Sequence, residues 1–143
     1  MTTPGQVIGA GTAFAWLGMV LAISFLETPL KFRAPGITLP LGLGIGRLVF
    51  RALNTTEITL AAVLLAALLV YRPGFFGWAL LGISGALLAT QTGLLRPRLD
   101  RRAGQIITGH TPPPSRLHLA YIALEILKVA ALVALGTLLI TSP

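Results

Sequence analysis

Residues 117–140 restrict the fold more than any other stretch, because they form an apolar run of 24 residues with only two charges inside it. About 20 apolar residues in a helix cross the hydrocarbon core of a bilayer, so this run predicts a membrane-spanning helix. The two charges are Glu125 and Lys128, which are three residues apart and therefore share one face of a helix. Ionisable side chains inside a membrane usually have a partner or a function. This pair is the first place to look for a site.

The amino-acid composition also indicates an integral membrane protein. Hydrophobic residues make up 55% of the 143 residues and charged residues only 10%, whereas a soluble domain has roughly 25% charged residues. The chain has no cysteine, which excludes disulfide bonds, thiolate metal sites and cysteine catalysis. No catalytic or metal-binding motif is visible, so we predict that the protein is not an enzyme and needs no cofactor or metal.

Four apolar segments predict an all-α integral membrane four-helix bundle, formed by residues 1–143 as a single transmembrane domain. The predicted spans are residues 7–27, 41/55–71, 74–95 and 116–140. Pro29 and Pro35 follow the first span and are unfavourable inside a helix, which predicts a turn at the membrane surface. Ser115 is predicted to cap the fourth helix. In the third span, Gly82 and Gly85 each precede an alanine by four residues, a spacing suited to helix packing.

The start of the second span has two interpretations, because residues 58–71 alone are too short to cross a bilayer. In the first, a helix begins at Asn54, with Asn54 and Glu57 in a capping-box-like arrangement and residues 41–53 lying in the membrane plane. In the second, one helix runs from about residue 41 and places Glu57 just inside the membrane. Few turn residues follow Asn54, which favours the long or slightly broken helix.

Residues 41–53 have an amphipathic helical pattern, with Arg47 and Arg51 on the face opposite to an apolar one. One interpretation is contact with anionic lipid, toward whose head groups long arginine side chains extend. The other is an anion site, because the three alternating glycines before Arg47 are compatible with a backbone nest at a helix start. Both interpretations predict anion or lipid head-group contact through Arg47 and Arg51.

Residues 96–116 are predicted to form a basic loop, in which Arg98, Arg101 and Arg102 contact an anion or lipid head groups. Residues 27–54 and 96–116 together hold nine of the eleven lysines and arginines. Cytoplasmic loops of membrane proteins are enriched in Lys and Arg. We therefore predict a multi-pass protein of the cell (plasma or inner) membrane with its basic loops in the cytoplasm and both termini outside.

Polar side chains inside the predicted spans gather in the half of the membrane nearer to the basic loops. They define a predicted intramembrane polar pocket that comprises Glu125, Lys128, Gln91, Trp16, Ser24 and Glu57. Three roles are open for Glu125 and Lys128: a buried structural ion pair, a proton or ion pathway, and a small-molecule or lipid head-group site. Trp16 lies at the depth of Lys128, either packed against another helix or serving as a ligand wall or cation–π partner.

The order of these features resembles a family of small four-helix membrane proteins of unknown function. The matching elements are a first span ending in SFLETPLKF, the sequence GIGRLVFRALNTTE before the second span, and LLRPRLDRR after the third, followed by a loop with a histidine. That family includes the animal transmembrane protein associated with resistance to platinum drugs. The resemblance implies a four-helix bundle and a connection to transport or export. This chain has no cysteine, which argues against a platinum- or copper-handling role.

These observations lead to two functional hypotheses. The first is a small polytopic inner-membrane transporter or channel-like protein for an ion or small solute, which uses the polar pocket. The alternative is a non-enzymatic accessory or scaffold subunit that binds anionic lipid or a protein partner. We expect membrane lipids, a second copy of the chain or a membrane complex as partners, and no nucleic acid, because the positive charge follows the topology of the loops.

Overall fold

The computed structural model describes residues 2–143, and these form four helices joined by short connections. The helices are α1 (Pro4–Lys31), α2 (Leu39–Tyr71), α3 (Phe75–Ile107) and α4 (Leu117–Thr141). They run alternately up and down. We call the end that carries residues 32–38 and 108–116 the basic end, and the end that carries both chain termini the terminal end. The predicted all-α four-helix bundle is confirmed.

Local side-chain caps explain where several helices begin and end. The Thr3 hydroxyl accepts a hydrogen bond from a backbone N–H in the first turn of α1, and Thr38 does the same for α2. Arg116, and not the predicted Ser115, is the N-cap of α4, while the Ser115 hydroxyl accepts a hydrogen bond from the Leu117 N–H. Arg72 has a left-handed backbone with φ of 58° and ends α2 before Pro73.

Helix α2 runs without a break for 33 residues, so residues 41–53 are continuous with the second span. The capping-box start at Asn54 is therefore wrong, because Asn54 and Glu57 lie in the middle of a regular helix. The backbone nest is also wrong, because an α-helix uses the backbone N–H groups of Gly42 and Gly46 for its own hydrogen bonds. These two glycines instead leave room for Phe32 and the Lys31 ammonium from the end of α1.

Two predicted connections are shorter than expected, because the helix before each of them is longer: the turn after the first span occupies only residues 32–38. Residues 96–107 continue α3 beyond the apolar span, and only residues 108–116 connect it to α4. Helix α1 continues past Pro29 to Lys31. Each extension follows a π-helical segment, Leu21–Glu27 in α1 and Gln91–Leu95 in α3. In a π-helical turn each backbone N–H bonds to the carbonyl five residues earlier instead of four. This wider turn gives room for the ring of the proline that follows, so the helix can continue.

Apolar packing fills the terminal half of the bundle. Its core consists of Ala10, Ala13, Trp16, Val20, Leu64, Leu68, Leu88, Leu132, Leu135 and Leu139. Two glycines allow helices to approach closely there: a Cβ atom on Gly5 would lie 3.0 Å from the Ala67 carbonyl oxygen, and one on Gly136 would lie 2.7 Å from the Phe14 ring. This half of the molecule is therefore close-packed.

The outer surface of the helices is apolar. Large hydrophobic side chains such as Val70, Phe75 and Phe76 are more than 70% exposed in the isolated chain, which fits a surface in contact with lipid. Gly82 and Gly85 do not provide close helix contacts within the bundle, since a Cβ atom on either would meet nothing within 4 Å. The four long apolar helices define a multi-pass membrane protein.

Candidate functional site

The Lys128 ammonium group is the centre of a buried ion cluster. Its Nζ lies 2.5 Å from Glu57 Oε1 on α2 and 2.7 Å from Glu125 Oε1 on its own helix. It also donates a hydrogen bond of 2.7 Å to Gln91 Oε1 on α3. Lys128, Glu57 and Gln91 are completely inaccessible to solvent, and Glu125 is 1% exposed. Three helices therefore meet at one ammonium group, and the i, i+3 spacing of Glu125 and Lys128 is realised on one face of α4.

Helix α1 completes the cluster with two neutral donors. The Trp16 indole N–H donates to Glu57 Oε1 at 2.9 Å, and the Ser24 hydroxyl donates to Glu125 Oε2 at 3.1 Å. Trp16 is completely buried against the apolar core. Trp16 thus takes part in the site through its indole N–H, which binds a carboxylate, and not through a cation–π contact with Lys128. Each carboxylate receives one neutral donor from α1 in addition to the shared cation.

The six predicted pocket residues all lie together in this cluster. Gln91 has two roles there, because its amide nitrogen also donates to the Tyr121 backbone carbonyl at 3.4 Å while its oxygen accepts from Lys128. It lies at the first position of the π-helical segment of α3, as Ser24 lies inside that of α1. π-helical segments inside α-helices occur frequently at functional sites.

Several buried oxygen atoms around the cluster make no hydrogen bond within the described residues. They are Asn54 Oδ1, Glu57 Oε2, Tyr121 Oη and Glu125 Oε1, the last of which still faces Lys128 as an ion pair. Buried polar atoms without a partner are rare, since each loses its hydration without compensation. The carboxylate oxygens among these atoms are therefore available to bind a proton or to accept a hydrogen bond from a cationic group.

A cavity of about 530 Å³ connects the ion cluster with the basic end. Glu125, Ser24 and Tyr121 line its inner part, and Arg102 and His118 line its outer part. The walls between them are mainly apolar and aromatic, with Phe25, Phe32, Phe50, Leu99, Ile106 and Ile122. A mostly apolar cavity of this size with a few polar groups is typical of a small-molecule site.

Sequence reasoning placed the Arg96–Arg102 segment at the mouth of the polar pocket but did not identify Tyr121 and Phe50 as part of the site. The rings of Phe50 and Tyr121 pack edge to face with centroids 5.8 Å apart. The Arg96 guanidinium lies 4.5 Å from the centre of the Phe50 ring and forms an ion pair with Asp100. The helical period offered a signal, because Tyr121 precedes Glu125 by four residues and shares its face.

The predicted basic contacts are distributed over the surface of the basic end rather than collected at one point. Arg98, Arg101 and Arg102 line a groove of about 360 Å³ against Pro112–Pro114, and the Arg102 guanidinium donates to the Pro113 carbonyl. Arg47 lines a smaller cavity, of about 130 Å³, beside the ion cluster's aromatic neighbours. Arg51 is exposed on the outer face of α2.

Access to the ion cluster is one-sided. The cavity reaches Glu125 from the basic end, whereas the apolar core closes the bundle between the cluster and the terminal end. At the terminal end, Gln6 donates to the backbone carbonyls of Leu139 and Ser142 and so connects α1 to the end of α4. None of the core residues of the terminal half lines this cavity in the described conformation.

Fold and site together define a class: a four-helix multi-pass membrane protein with a buried ion cluster at the inner end of a cavity. No protein-family model, curated protein or solved structure matches the chain. The functional argument therefore depends on the geometry of this site.

Proposed function

We propose that this protein is a small transporter that moves an ion or small solute across the inner membrane and exchanges protons at its buried ion cluster. One observation supports this proposal above the others. Glu125 belongs to the ion cluster and also lines the cavity that reaches the basic end. A titratable group deep in the hydrocarbon region therefore borders a cavity that is also lined by residues of the basic end, which a merely structural ion pair would not require.

The charge of the ion cluster favours proton exchange. Two carboxylates and one ammonium group carry a net charge of −1 when Glu57, Glu125 and Lys128 are all ionised. An unbalanced charge in a low-dielectric interior is costly. The cluster is balanced when one proton is bound to it, and a cation entering the cavity replaces that proton. Binding of a proton and of a cation are then mutually exclusive, which is the basis of coupled exchange.

The orientation in this proposal follows from the charge of the two ends. The basic end carries most of the lysines and arginines, so the positive-inside rule puts it in the cytoplasm, with the cavity facing inward. Transport then requires a second conformation in which the apolar core around Leu68 and Leu135 opens toward the terminal end. The helix pairs would have to separate there, since the core cluster of that half consists of apolar side chains.

Proton movement in liposomes tests the proposal. The purified protein is reconstituted with pyranine inside the vesicles, and a potassium gradient with valinomycin imposes an inside-negative potential. We expect internal acidification faster than in protein-free vesicles, and we expect Glu125→Gln and Lys128→Met to abolish the difference. Sodium chloride added outside is the probe for cation exchange, and it should slow acidification if the sodium ion occupies the same site.

Glu27→Gln is the matched control, because it makes the same chemical change in an acid that pairs with Lys31 away from the ion cluster. Vesicles that contain Glu27→Gln should acidify as fast as vesicles that contain the parent protein. All variants must elute as monodisperse protein from a sizing column before reconstitution. Proton flux indistinguishable from protein-free vesicles both without and with the external cation, or full flux in both cluster variants, would contradict transport.

A second candidate function is an accessory subunit that binds anionic lipid, and the basic groove favours it. Arg98, Arg101 and Arg102 concentrate three positive charges on one side of the helical extension of α3, against the rigid Pro112–Pro114 segment. Arginine recognises phosphate through several planar N–H donors. Under this hypothesis the groove holds the head group of an anionic phospholipid, and the ion cluster stabilises the bundle.

Native mass spectrometry of protein extracted from phosphatidylglycerol-containing membranes tests the lipid hypothesis. The parent should retain phosphatidylglycerol, and the triple variant Arg98→Glu, Arg101→Glu, Arg102→Glu should lose it. Arg72→Glu at the terminal end changes charge in the same sense and should retain the lipid. Equal retention in all three proteins would exclude the groove as a lipid site.

We also propose that the transporter self-associates, because the four helices of one chain enclose little volume for a transport pathway. Gly82 and Gly85 with the alanines that follow them form a small-residue face of α3 that meets nothing inside the bundle. Light scattering of the protein in detergent should give more than one chain per particle. Gly82→Leu should reduce the mass to that of one chain if this face forms the contact.

A further inference from the structure

Helices α1 and α3 share an unusual feature at corresponding positions. Both run from the terminal end to the basic end, and both contain a π-helical segment, which ends at Glu27 in α1 and at Leu95 in α3. In each case a proline follows two residues later, Pro29 or Pro97. The two prolines are 68 residues apart.

The acids of the ion cluster repeat with the same spacing. Glu57 and Glu125 are also 68 residues apart, they lie on α2 and α4, and both are buried. The isoleucine that follows each of them repeats as well. Buried positions on all four helices obey the same relation: Gly9 with Gly77, Val20 with Leu88, and Leu64 with Leu132.

Helix packing is consistent with this relation. Helix α1 packs against both α2 and α4, and α3 packs against α4 and, through its extension at the basic end, against α2. Each helix thus packs mainly against its own hairpin partner and one helix of the other hairpin, as two equivalent hairpins facing each other would. Parallel repeats related by an axis along the membrane normal are a known architecture of membrane transporters, and their sites lie where the repeats meet.

We infer that α1–α2 and α3–α4 are two copies of one helical hairpin, and that Glu57 and Glu125 are the equivalent halves of a single binding site for a primary ammonium group, occupied here by Lys128. The ammonium lies between the two acids, 2.5 Å from one and 2.7 Å from the other. Its contacts are thus nearly symmetric although its side chain comes from one hairpin only. The inference does not depend on whether the protein transports anything.

The equivalent position in the other hairpin is Leu60, which is 68 residues before Lys128 and packs against the apolar core. If the two halves are equivalent, a lysine at position 60 reaches the same two carboxylates from α2. A free alkylammonium ion can also fill the site when the lysine is removed, because the cavity gives access to Glu125 from the basic end. Three N–H donors of a primary ammonium suit several acceptor oxygens at once.

A lysine exchange between the two hairpins tests the inference by thermal unfolding in detergent. Lys128→Leu alone leaves two carboxylates without a cation and should lower Tm by several degrees. Combining it with Leu60→Lys should restore most of that loss. The control combines Lys128→Leu with Leu64→Lys, which places a lysine one turn away at a buried position that is not equivalent, and it should not restore stability.

Chemical rescue provides a second measurement should the exchange variants fold poorly. Propylammonium chloride should raise the Tm of Lys128→Ala in a saturable manner and leave the parent unchanged. Tetramethylammonium chloride, which has no N–H donor, should have no such effect. The inference is overturned if Leu60→Lys restores no more stability than Leu64→Lys and propylammonium has no saturable effect, or if Lys128→Leu is as stable as the parent.

Discussion

The indole N–H of Trp16 donates a hydrogen bond of 2.9 Å to Glu57 Oε1, the same oxygen that lies 2.5 Å from the Lys128 ammonium. Helix α1 thus fixes the carboxylate of α2 that binds the cation of α4. A Trp in the middle of a membrane span is unusual, since this residue is concentrated at the interfaces. Its position here is explained by a donor that can reach a buried acid while the ring fills the apolar core.

Trp16→Phe should destabilise the protein, because it keeps an aromatic ring in the core but removes the donor to Glu57. We expect a loss of about 1–3 kcal/mol, the usual cost of a hydrogen bond to a charged group that is left unsatisfied. Thermal unfolding followed by circular dichroism measures the change. Trp78→Phe is the control, because Trp78 is only partly buried and packs at the edge of the core. Equal effects of the two substitutions would mean that the hydrogen bond contributes little.

Gly5→Ala should weaken the contact between α1 and α2. The new methyl group would lie 3.0 Å from the Ala67 carbonyl oxygen and 3.1 Å from the Tyr71 backbone nitrogen, and neither backbone atom can move aside as a side chain can. Overpacking of this kind costs about 1–3 kcal/mol. Gly11→Ala on the same helix meets nothing within 4 Å and should be neutral or stabilising by up to about 1 kcal/mol. A lower Tm for Gly11→Ala than for Gly5→Ala would contradict the helix contact described here.

Gln6→Leu should loosen the last turn of α4. The Gln6 amide donates to the Leu139 and Ser142 carbonyls at 2.7 and 2.9 Å, which otherwise have no donor at the end of a helix. Hydrogen–deuterium exchange should become faster in residues 138–142 and stay unchanged at the ion cluster. Gln105→Leu makes the same change at an exposed position and should not alter exchange at the end of α4.

The absence of cysteine makes the proposed orientation directly measurable. Thr2→Cys and Thr111→Cys each introduce one thiol at an exposed position, the first at the terminal end and the second at the basic end. With the basic end in the cytoplasm, a membrane-impermeant maleimide should label the first variant in intact cells and the second only after permeabilisation. The reverse pattern would place the cavity opening outside.

Much of the architecture could be predicted because it depends on local composition. Apolar runs of sufficient length predicted four helices, and the continuity of α2 followed from the lack of turn residues after Asn54. The helical extension at 96–107 was missed, because a basic segment with Pro97 is typical of a loop and the preceding π-helical turn leaves no sequence pattern. The missed signal was helical periodicity, since the apolar residues Leu99, Ala103 and Ile106 recur at i, i+4 and i+7.

Within the site, the residue types and their depth could be predicted, but their partners could not. The fixed period of a helix was enough to predict that Glu125 and Lys128 share a helix face, and helical rise was enough to predict that polar groups of other spans lie near their depth. The fold was needed to learn that Lys128 also binds Glu57 and Gln91, that Trp16 donates to a carboxylate, and that Glu125 lines a cavity. The reason is physical: partners between helices depend on how each helix is rotated and crossed against its neighbours, and packing across the whole bundle sets those angles.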